Sequence, residues 1–439
     1  MKILIKNAKT LLLDVAGDFV VQEKNIYIDG NKIVSLEAQP EGFEPEKEIN
    51  AEGKLVMPGL INAHTHAYMA LFRNYADDQA FWDWLKNVQT VEEGLTEEDS
   101  YWGTLLAIIE MIKTGTTCFV DMNIKSAKGV KLGEASACAG AAYESGIRAL
   151  ITRGLSGTAD CEESLTKYQE VIDEIELFKG EERVTFGMGP HAPYSCMKDY
   201  LEKLTATAKK YGICNNIHLS ESESEVENMI KEHGVTPIKY VEDIGVFEVP
   251  TIAAHCVNAT EDDMDIFVKH GVSVALNPKS NMKLGNGFAP AEKMLEKGVN
   301  LCIGTDGPGS NNTQNMFAEM NAAALIYKGA NKKAQCISAN DVLKFATVNG
   351  AKAVGKEGEL GIIKEGALAD IIILNLNEPE FQPENNIVSG LVYSATGREV
   401  ETVIVNGEIL MEENKLLTID EKEVYKECAK RSKRLGMMK

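Results

Sequence analysis

Basic charge is what this chain has too little of: 45 Lys and Arg stand against 66 Asp and Glu in 439 residues, a formal net charge of −21. A nucleic-acid-binding surface must offer phosphates a basic stripe, so this balance argues against that class. Long apolar runs are missing too. The longest stretch without Asp, Glu, Lys or Arg, Leu55 to Phe72, holds Pro58, Gly59, Asn62, His64 and His66, and does not read as a membrane span. The opening Met1-Lys2-Ile3-Leu4-Ile5-Lys6 sets lysines inside its apolar residues, unlike a secretory signal. Nine cysteines include no C-x-x-C pair, and their odd number fits reduced thiols better than a disulfide framework. A cytoplasmic protein is expected, with no thiolate metal site. Internal repeats, low-complexity tracts and long flexible linkers are also lacking.

What is there resembles an ordinary soluble enzyme: 44% hydrophobic and 25% charged residues, enough for a sizeable core. The length suits one (β/α)₈ barrel of about 250 residues plus something smaller. Short β-like runs separated by turns fill the first fifty residues, at 3–5, 11–13, 25–28 and 33–36. The same texture returns at 369–374, 401–405 and 409–411, so both ends are expected to build one small β domain. Between them, buried-looking strands alternate with amphipathic helical stretches, the pattern of βαβ units and a parallel sheet. Eight strands are expected, at 59–63, 117–121, 148–153, 184–189, 216–219, 251–255, 272–277 and 301–305. Glu97 to Lys113 is expected as a helix, with Trp102, Leu105, Leu106, Ile109 and Ile112 at helical spacing. A surface helix with a basic tip is expected over 421–439.

Chemistry gathers at the strand ends. Only seven histidines occur, and His64, His66, His218 and His255 fall at or just after the C-terminal ends of expected strands, where barrel active sites sit. Side chains two apart on a strand share a face, so both imidazoles of His64-Thr65-His66 can reach one cation. The fifth strand runs into Ser220-Glu221, the sixth ends in His255-Cys256 and the eighth in Thr305-Asp306. Buried His and Asp are disfavoured unless paired, so a site gathering them is ionically satisfied or metal-bound.

The motifs P-G-L-I-N-A-H-T-H-A (58–67), G-T-T near Gly115, G-P-H-A-P-Y (189–194), H-L-S-E (218–221), H-C (255–256) and G-T-D-G-P-G-S-N-N (304–312) carry a resemblance over nearly the whole chain. The sequence resembles the amidohydrolase superfamily and, within it, the mononuclear-metal 5′-methylthioadenosine/S-adenosylhomocysteine deaminases. That resemblance implies an α/β fold: a distorted (β/α)₈ TIM barrel over 56–364, with a small β-sandwich domain from 1–55 and 365–439 that ends in a helix. It implies a metal held by His64, His66, His218 and Asp306, with a water completing the site. Three imidazoles and a carboxylate suit one Zn²⁺ per subunit, and ligand type does not separate it from Fe²⁺. Binuclear relatives use a carboxylated lysine or a glutamate at a strand end, whereas the fourth strand here ends in Gly189-Pro190-His191 with no lysine.

The implied reaction is hydrolytic deamination of an aminopurine nucleoside at C6. Glu221 is implied as the proton shuttle to ring N1, His255 as the group that orients water or stabilises developing charge, and Asp306 as the acceptor of the water's proton. Glu221 and Asp306 thereby touch substrate as well. Trp84 resembles an aromatic wall and Glu93, with Glu92 as the adjacent alternative, the carboxylate that holds ribose hydroxyls. Arg153 resembles the arginine facing the ribose or the 5′ group, His191 a ribose or purine contact, and Ser310 a weaker substrate contact. One departure stands out: relatives that take S-adenosylhomocysteine can use a second arginine about a dozen residues on, and 154–172 holds only Lys167 as a cation. That favours methylthioadenosine, 5′-deoxyadenosine or adenosine. The same ligands would serve a guanine or oxidised-guanine deaminase or a triazine chlorohydrolase. Intact His64, His66, His218, Glu221, His255 and Asp306 argue against a non-catalytic scaffold. No membrane partner is expected, and a homo-oligomer is left open.

Overall fold

A computed structural model describes residues 1–126 and 137–437. The fold is mixed α/β. Its N-terminal segment forms β1 (Lys2–Leu13), β2 (Phe19–Asp29), β3 (Lys32–Ser35), β4 (Lys47–Asn50) and β5 (Lys54–Pro58). The middle carries β6 (Leu60–Thr65), β7 (Thr116–Asn123), β8 (Arg148–Leu155), β9 (Val184–Phe186), β10 (Gly189–Pro190), β11 (Asn215–Leu219), β12 (Thr251–His255), β13 (Ser273–Leu276) and β14 (Asn300–Ile303). The C-terminal segment adds β15 (Ile371–Asn375), β16 (Val400–Val405), β17 (Glu408–Glu412) and β18 (Lys415–Leu416).

Both chain ends do build one sheet, of nine strands, in which β15 runs antiparallel to β5 with Ile372 opposite Met57. The sheet curls: Ile33 of β3 and Ile404 of β16, from opposite regions of it, share one apolar core with Ile5, Ile28, Val56 and Ile371. The middle strands form two parallel arcs, β6 to β10 and β11 to β14. Every residue of β6, β7, β11 and β12 is buried, as parallel strands covered on both faces must be. The arcs touch at both ends. Asn216 N–H donates to the Met188 carbonyl at 2.9 Å, and Asp306 N–H to the His64 carbonyl at 3.0 Å.

The strand expected at 184–189 is instead two short pieces. Val184–Phe186 pairs with β8, Met188 bridges to Asn215, and Gly189 returns to β8. A Cβ at Gly189 would lie 2.2 Å from the Arg153 carbonyl, so the chain approaches β8 there closer than any other residue allows. The helix Glu97–Lys113 forms over the expected range. Thr96 and Asp99 close a capping box, and Glu97, Glu98 and Asp99 sit at the positive end of the helix dipole. Its Leu105, Ile109 and Ile112 are buried, while Trp102 is half-buried because the C-terminal helix Glu421–Arg434 lies beside it. Arg431 stacks 5.4 Å over the Trp102 ring and pairs with Glu98 at 2.9 Å. The expected basic tip is thus a docked one; Met438 and Lys439 lie outside the described residues. No helix among the described residues is long and apolar enough to cross a membrane.

Candidate metal centre

Strand ends converge on one buried cluster. His64 ends the inward row of β6, and the next imidazole, His66, follows it with ring centroids 5.1 Å apart. His66 Nδ1 donates to the Met122 carbonyl at 2.7 Å and His218 Nδ1 donates to the His191 carbonyl at 2.8 Å. A carbonyl only accepts, so each Nδ1 carries the proton and each Nε2 of the neutral ring presents a lone pair. Those two Nε2 atoms face each other at 3.2 Å. Two lone pairs at that distance repel unless a cation lies between them, and about 3.3 Å is the edge of a tetrahedron with bonds near 2.05 Å. Both ring nitrogens of His64 lack a hydrogen-bond partner although the side chain is fully buried. Donor atoms of His64, His66 and His218 lie within 4.8 Å of one another, as do those of His64, His255 and Asp306. Burial holds the His64 and His218 rings well below the ordinary histidine pKa, the neutral form a metal requires. The donor set fits a divalent cation.

The acid and base groups are held just as firmly. Ser280 and Ser310 donate to Asp306 Oδ2 at 2.6 and 2.7 Å, which leaves Oδ1 facing His66 Nε2 at 3.4 Å and His64 Nε2 at 3.7 Å. Ser310, expected as a substrate contact, is fully buried and orients Asp306 instead. His255 Nδ1 meets Asn281 Oδ1 at 2.9 Å, so its Nε2 turns inward, 3.8 Å from Glu221 Oε2. Asn286 Nδ2 donates to Glu221 Oε1 at 3.0 Å. Glu221 is buried among neighbours of unlike fate: Glu223 is exposed, while Glu225 accepts the backbone N–H groups of Ser220 and Glu221 at 3.0 and 2.8 Å and fixes the loop. Burial pushes the Glu221 carboxyl well above its ordinary pKa, Asp306 reinforces that, and the Asn286 bond opposes it.

Strain accompanies this precision. Ser220, His255, Cys256 and Asp306 all have left-handed backbone, with φ of 49°, 73°, 48° and 56°. Side-chain-bearing residues hold such conformations only where their surroundings over-determine them. Gly304 shows the crowding, since a Cβ there would lie 2.7 Å from the His64 carbonyl.

A cavity of about 610 Å³ opens over the cluster. His66, His218, Glu221, His255 and Asp306 form its floor. Trp84, from helix Phe81–Glu92, walls one side and donates Nε1–H to the Gly309 carbonyl at 3.1 Å. Arg153 and His191 also line the cavity. Arg153 is buried and paired with Glu170; His191 Nδ1 meets Ser195 Oγ at 2.9 Å. Burial, with His66 and His255 nearby, lowers His191 to about 4, so its ring is neutral. Glu93 lines the rim exposed, and Glu92 beside it is half-buried and accepts a hydrogen bond from the Tyr68 hydroxyl. Lys167 also reaches the wall, paired with Glu163 at 2.6 Å.

Sequence reasoning missed Ser280, Asn281 and Asn286. All three follow β13, one of two strand ends, with that of β7, where the sequence points to no chemistry. A signal existed in Asn277-Pro278-Lys279-Ser280-Asn281, but amides and hydroxyls at a strand end are ordinary turn residues too.

Residues 55–410 match the model of the amidohydrolase family. The chain is 43% identical to the 5-methylthioadenosine/S-adenosylhomocysteine deaminase of Caldanaerobacter subterraneus subsp. tengcongensis, over 99% of both chains. It is 42% identical to the one from Thermoanaerobacter pseudethanolicus, again over 99% of both. Among solved structures it is similar to an adenosine deaminase from Xanthomonas campestris with bound zinc, at 28% identity and a TM-score of 0.90 over 99% of each chain. Converging imidazoles, a strained aspartate and a matching sequence over most of its length together show that this chain belongs to the amidohydrolase family.

Proposed function

We propose that the protein hydrolytically deaminates the 6-amino group of 5′-modified adenosines, 5′-methylthioadenosine and S-adenosylhomocysteine among them, giving the inosine analogues and ammonia. The observation that carries this reading is the placing of Glu221, His255 and Asp306 on one cavity floor beside three converging imidazoles. His64, His66, His218 and Asp306 would hold one Zn²⁺ per subunit, with Fe²⁺ an acceptable substitute for the same donors. The cation supplies the Lewis acidity that makes water a competent nucleophile at neutral pH. Asp306 takes a proton from the attacking water, its second oxygen anchored by Ser280 and Ser310. Glu221, whose protonated form burial favours, delivers a proton to ring N1 as oxygen bonds to C6. His255 stabilises the charge that develops there. The C6–N bond then breaks: the amine leaves as ammonia with the proton that Asp306 took, and the C6 hydroxyl returns a proton to Glu221 as the carbonyl forms. Glu93 and His191 serve the ribose, Arg153 the ribose or the 5′ group, and Trp84 stacks beside the base.

The two parallel arcs read as one distorted (β/α)₈ barrel over 56–364, a reading supported by the backbone bonds that join them. Residues 1–55 and 365–439 read as a β-sandwich domain with a terminal helix. A cytoplasmic setting goes with free thiols at all nine cysteines.

Zinc-loaded protein offered methylthioadenosine, S-adenosylhomocysteine, adenosine, 5′-deoxyadenosine, adenine and guanine tests the reading through ammonia release and the ultraviolet change from adenine to hypoxanthine. Nucleosides should react and free bases should not. Silence on every nucleoside with metal bound overturns it in favour of another ring hydrolysis. Replacing Arg153 by Met should cut kcat/KM for methylthioadenosine by about 10- to 100-fold, since hydrogen bonds to charged groups contribute about 1.5–3 kcal/mol. Inhibition by free adenine should hold constant; weakening of both alike makes Arg153 structural.

A further inference from the structure

Three donors crowd the backbone carbonyl of Asp306: Gln314 Nε2 at 3.0 Å, Thr65 Oγ1 at 2.9 Å and Thr305 Oγ1 at 3.0 Å. Asp306 is the left-handed residue on which the metal-centre reading depends, and peptide orientation decides where its side chain points. Gln314 is fully buried between β14 and the helix Met316–Asn331, and it is not part of the cavity wall. Its Oε1 lies 3.0 Å from each of the two threonine hydroxyls and 3.3 Å from Asn62 Nδ2. Asn62 in turn donates to Thr305 Oγ1 at 2.7 Å and accepts the Thr305 N–H at 3.0 Å.

Proton counting fixes the direction of this network. Each hydroxyl has one proton and two acceptors within reach, the Asp306 carbonyl and Gln314 Oε1. An amide nitrogen only donates, so Gln314 must turn Nε2 toward the Asp306 carbonyl; flipped, it would set oxygen against oxygen there. Asn62 and Thr65 belong to β6, which carries His64, while Thr305 and Asp306 follow β14. One buried amide therefore ties together the two strand ends that supply His64, His66 and Asp306.

We infer that Gln314 is a positioning residue for the metal centre, holding the Asp306 peptide in its left-handed conformation so that Oδ1 faces His64 and His66. The inference rests on the metal-centre reading above. Partners behind metal ligands typically change metal affinity or activity by about 10- to 100-fold when lost.

The full-length protein carrying Gln314→Glu, which keeps the shape and exchanges the donor for an acceptor, or Gln314→Met, which removes both, is loaded with Co²⁺ or Zn²⁺. The visible absorption of the cobalt form should shift, zinc loss to a chelator should quicken by about tenfold or more, and the rise in Tm on metal loading should shrink. Turnover should fall in kcat with KM held. A merely structural role lowers the Tm of metal-free and metal-loaded protein alike and leaves the cobalt spectrum unchanged; that result overturns the inference. Should both variants fail to fold, Thr65→Val and Thr305→Val each remove one donor, and a wild-type cobalt spectrum in both overturns it equally. Wild-type protein that takes up neither metal overturns the metal-centre reading itself, and the inference falls with it.

Discussion

Replacing Glu221 by Gln should lower kcat by about 10²- to 10⁴-fold, the usual contribution of a positioned acid or base, while the metal stays bound. The substitution preserves shape. The new side chain can still accept the Asn286 amide proton through its oxygen, and the loop stays clamped by Glu225, which touches the backbone and not the side chain. What is lost is the transferable proton. In the native protein, desolvation at a 6% exposed position raises the carboxyl well above its ordinary pKa and so favours the protonated acid that the step needs. Glu221 is not part of either group of converging metal donors, so metal content should match wild type. Ammonia release and metal analysis on the same preparation check both halves. Near-normal turnover removes the proton-shuttle role; loss of metal as well makes Glu221 a structural support of the centre.

The convergence of the imidazoles was legible because strand geometry does the work: an H-x-H on a strand puts both rings on one face wherever the strand goes. Glu221 and Asp306 were legible for the same reason, each lying just past a strand end. Ser280, Asn281, Asn286 and Gln314 were not, because their role comes from contacts 8 to 65 residues away in sequence. Nothing local distinguishes such an amide from one in a solvated turn. Ser310 shows the converse error: the resemblance implies a weak substrate contact, whereas the turn after Asp306 brings its hydroxyl back onto the carboxylate. Lys167 stands out in the sequence only as the one cation within 154–172, and the packing of its helix, Glu162–Leu177, against β8 brings it to the same cavity as Arg153. The fourth strand was misjudged because Met188 pairs across to Asn215 and not to β8, a choice made by close packing at Gly189.

Arg148 opens the strand that Arg153 nearly closes, and replacing it by Met should cost about 3–5 kcal/mol of stability without touching the chemistry. Its guanidinium meets Asp370 in a fork, Nε to Oδ2 at 2.8 Å and Nη2 to Oδ1 at 3.0 Å, with Asn406 Oδ1 at 3.1 Å from Nη2. Both partners are buried, at 4% exposure each. Asp370 immediately precedes β15, so this pair fastens the parallel strands to the sheet made from the chain ends. Breaking it strands a carboxylate whose one described donor besides Arg148 is the Asn406 N–H at 2.8 Å, a larger penalty than the pair's own net worth. The double variant Arg148→Met/Asp370→Leu should therefore recover much of the loss, because no unpaired charge is left behind. Denaturant unfolding of both variants against wild type reads both terms. The metal site lies at the opposite end of β8, so kcat per folded molecule should be unchanged. A loss below about 1 kcal/mol in the single variant would shift the weight of this junction to apolar packing, where Ile372 and Val400 close on Gly115 so tightly that a Cβ there would lie 2.7 Å from Ile372 Cδ1.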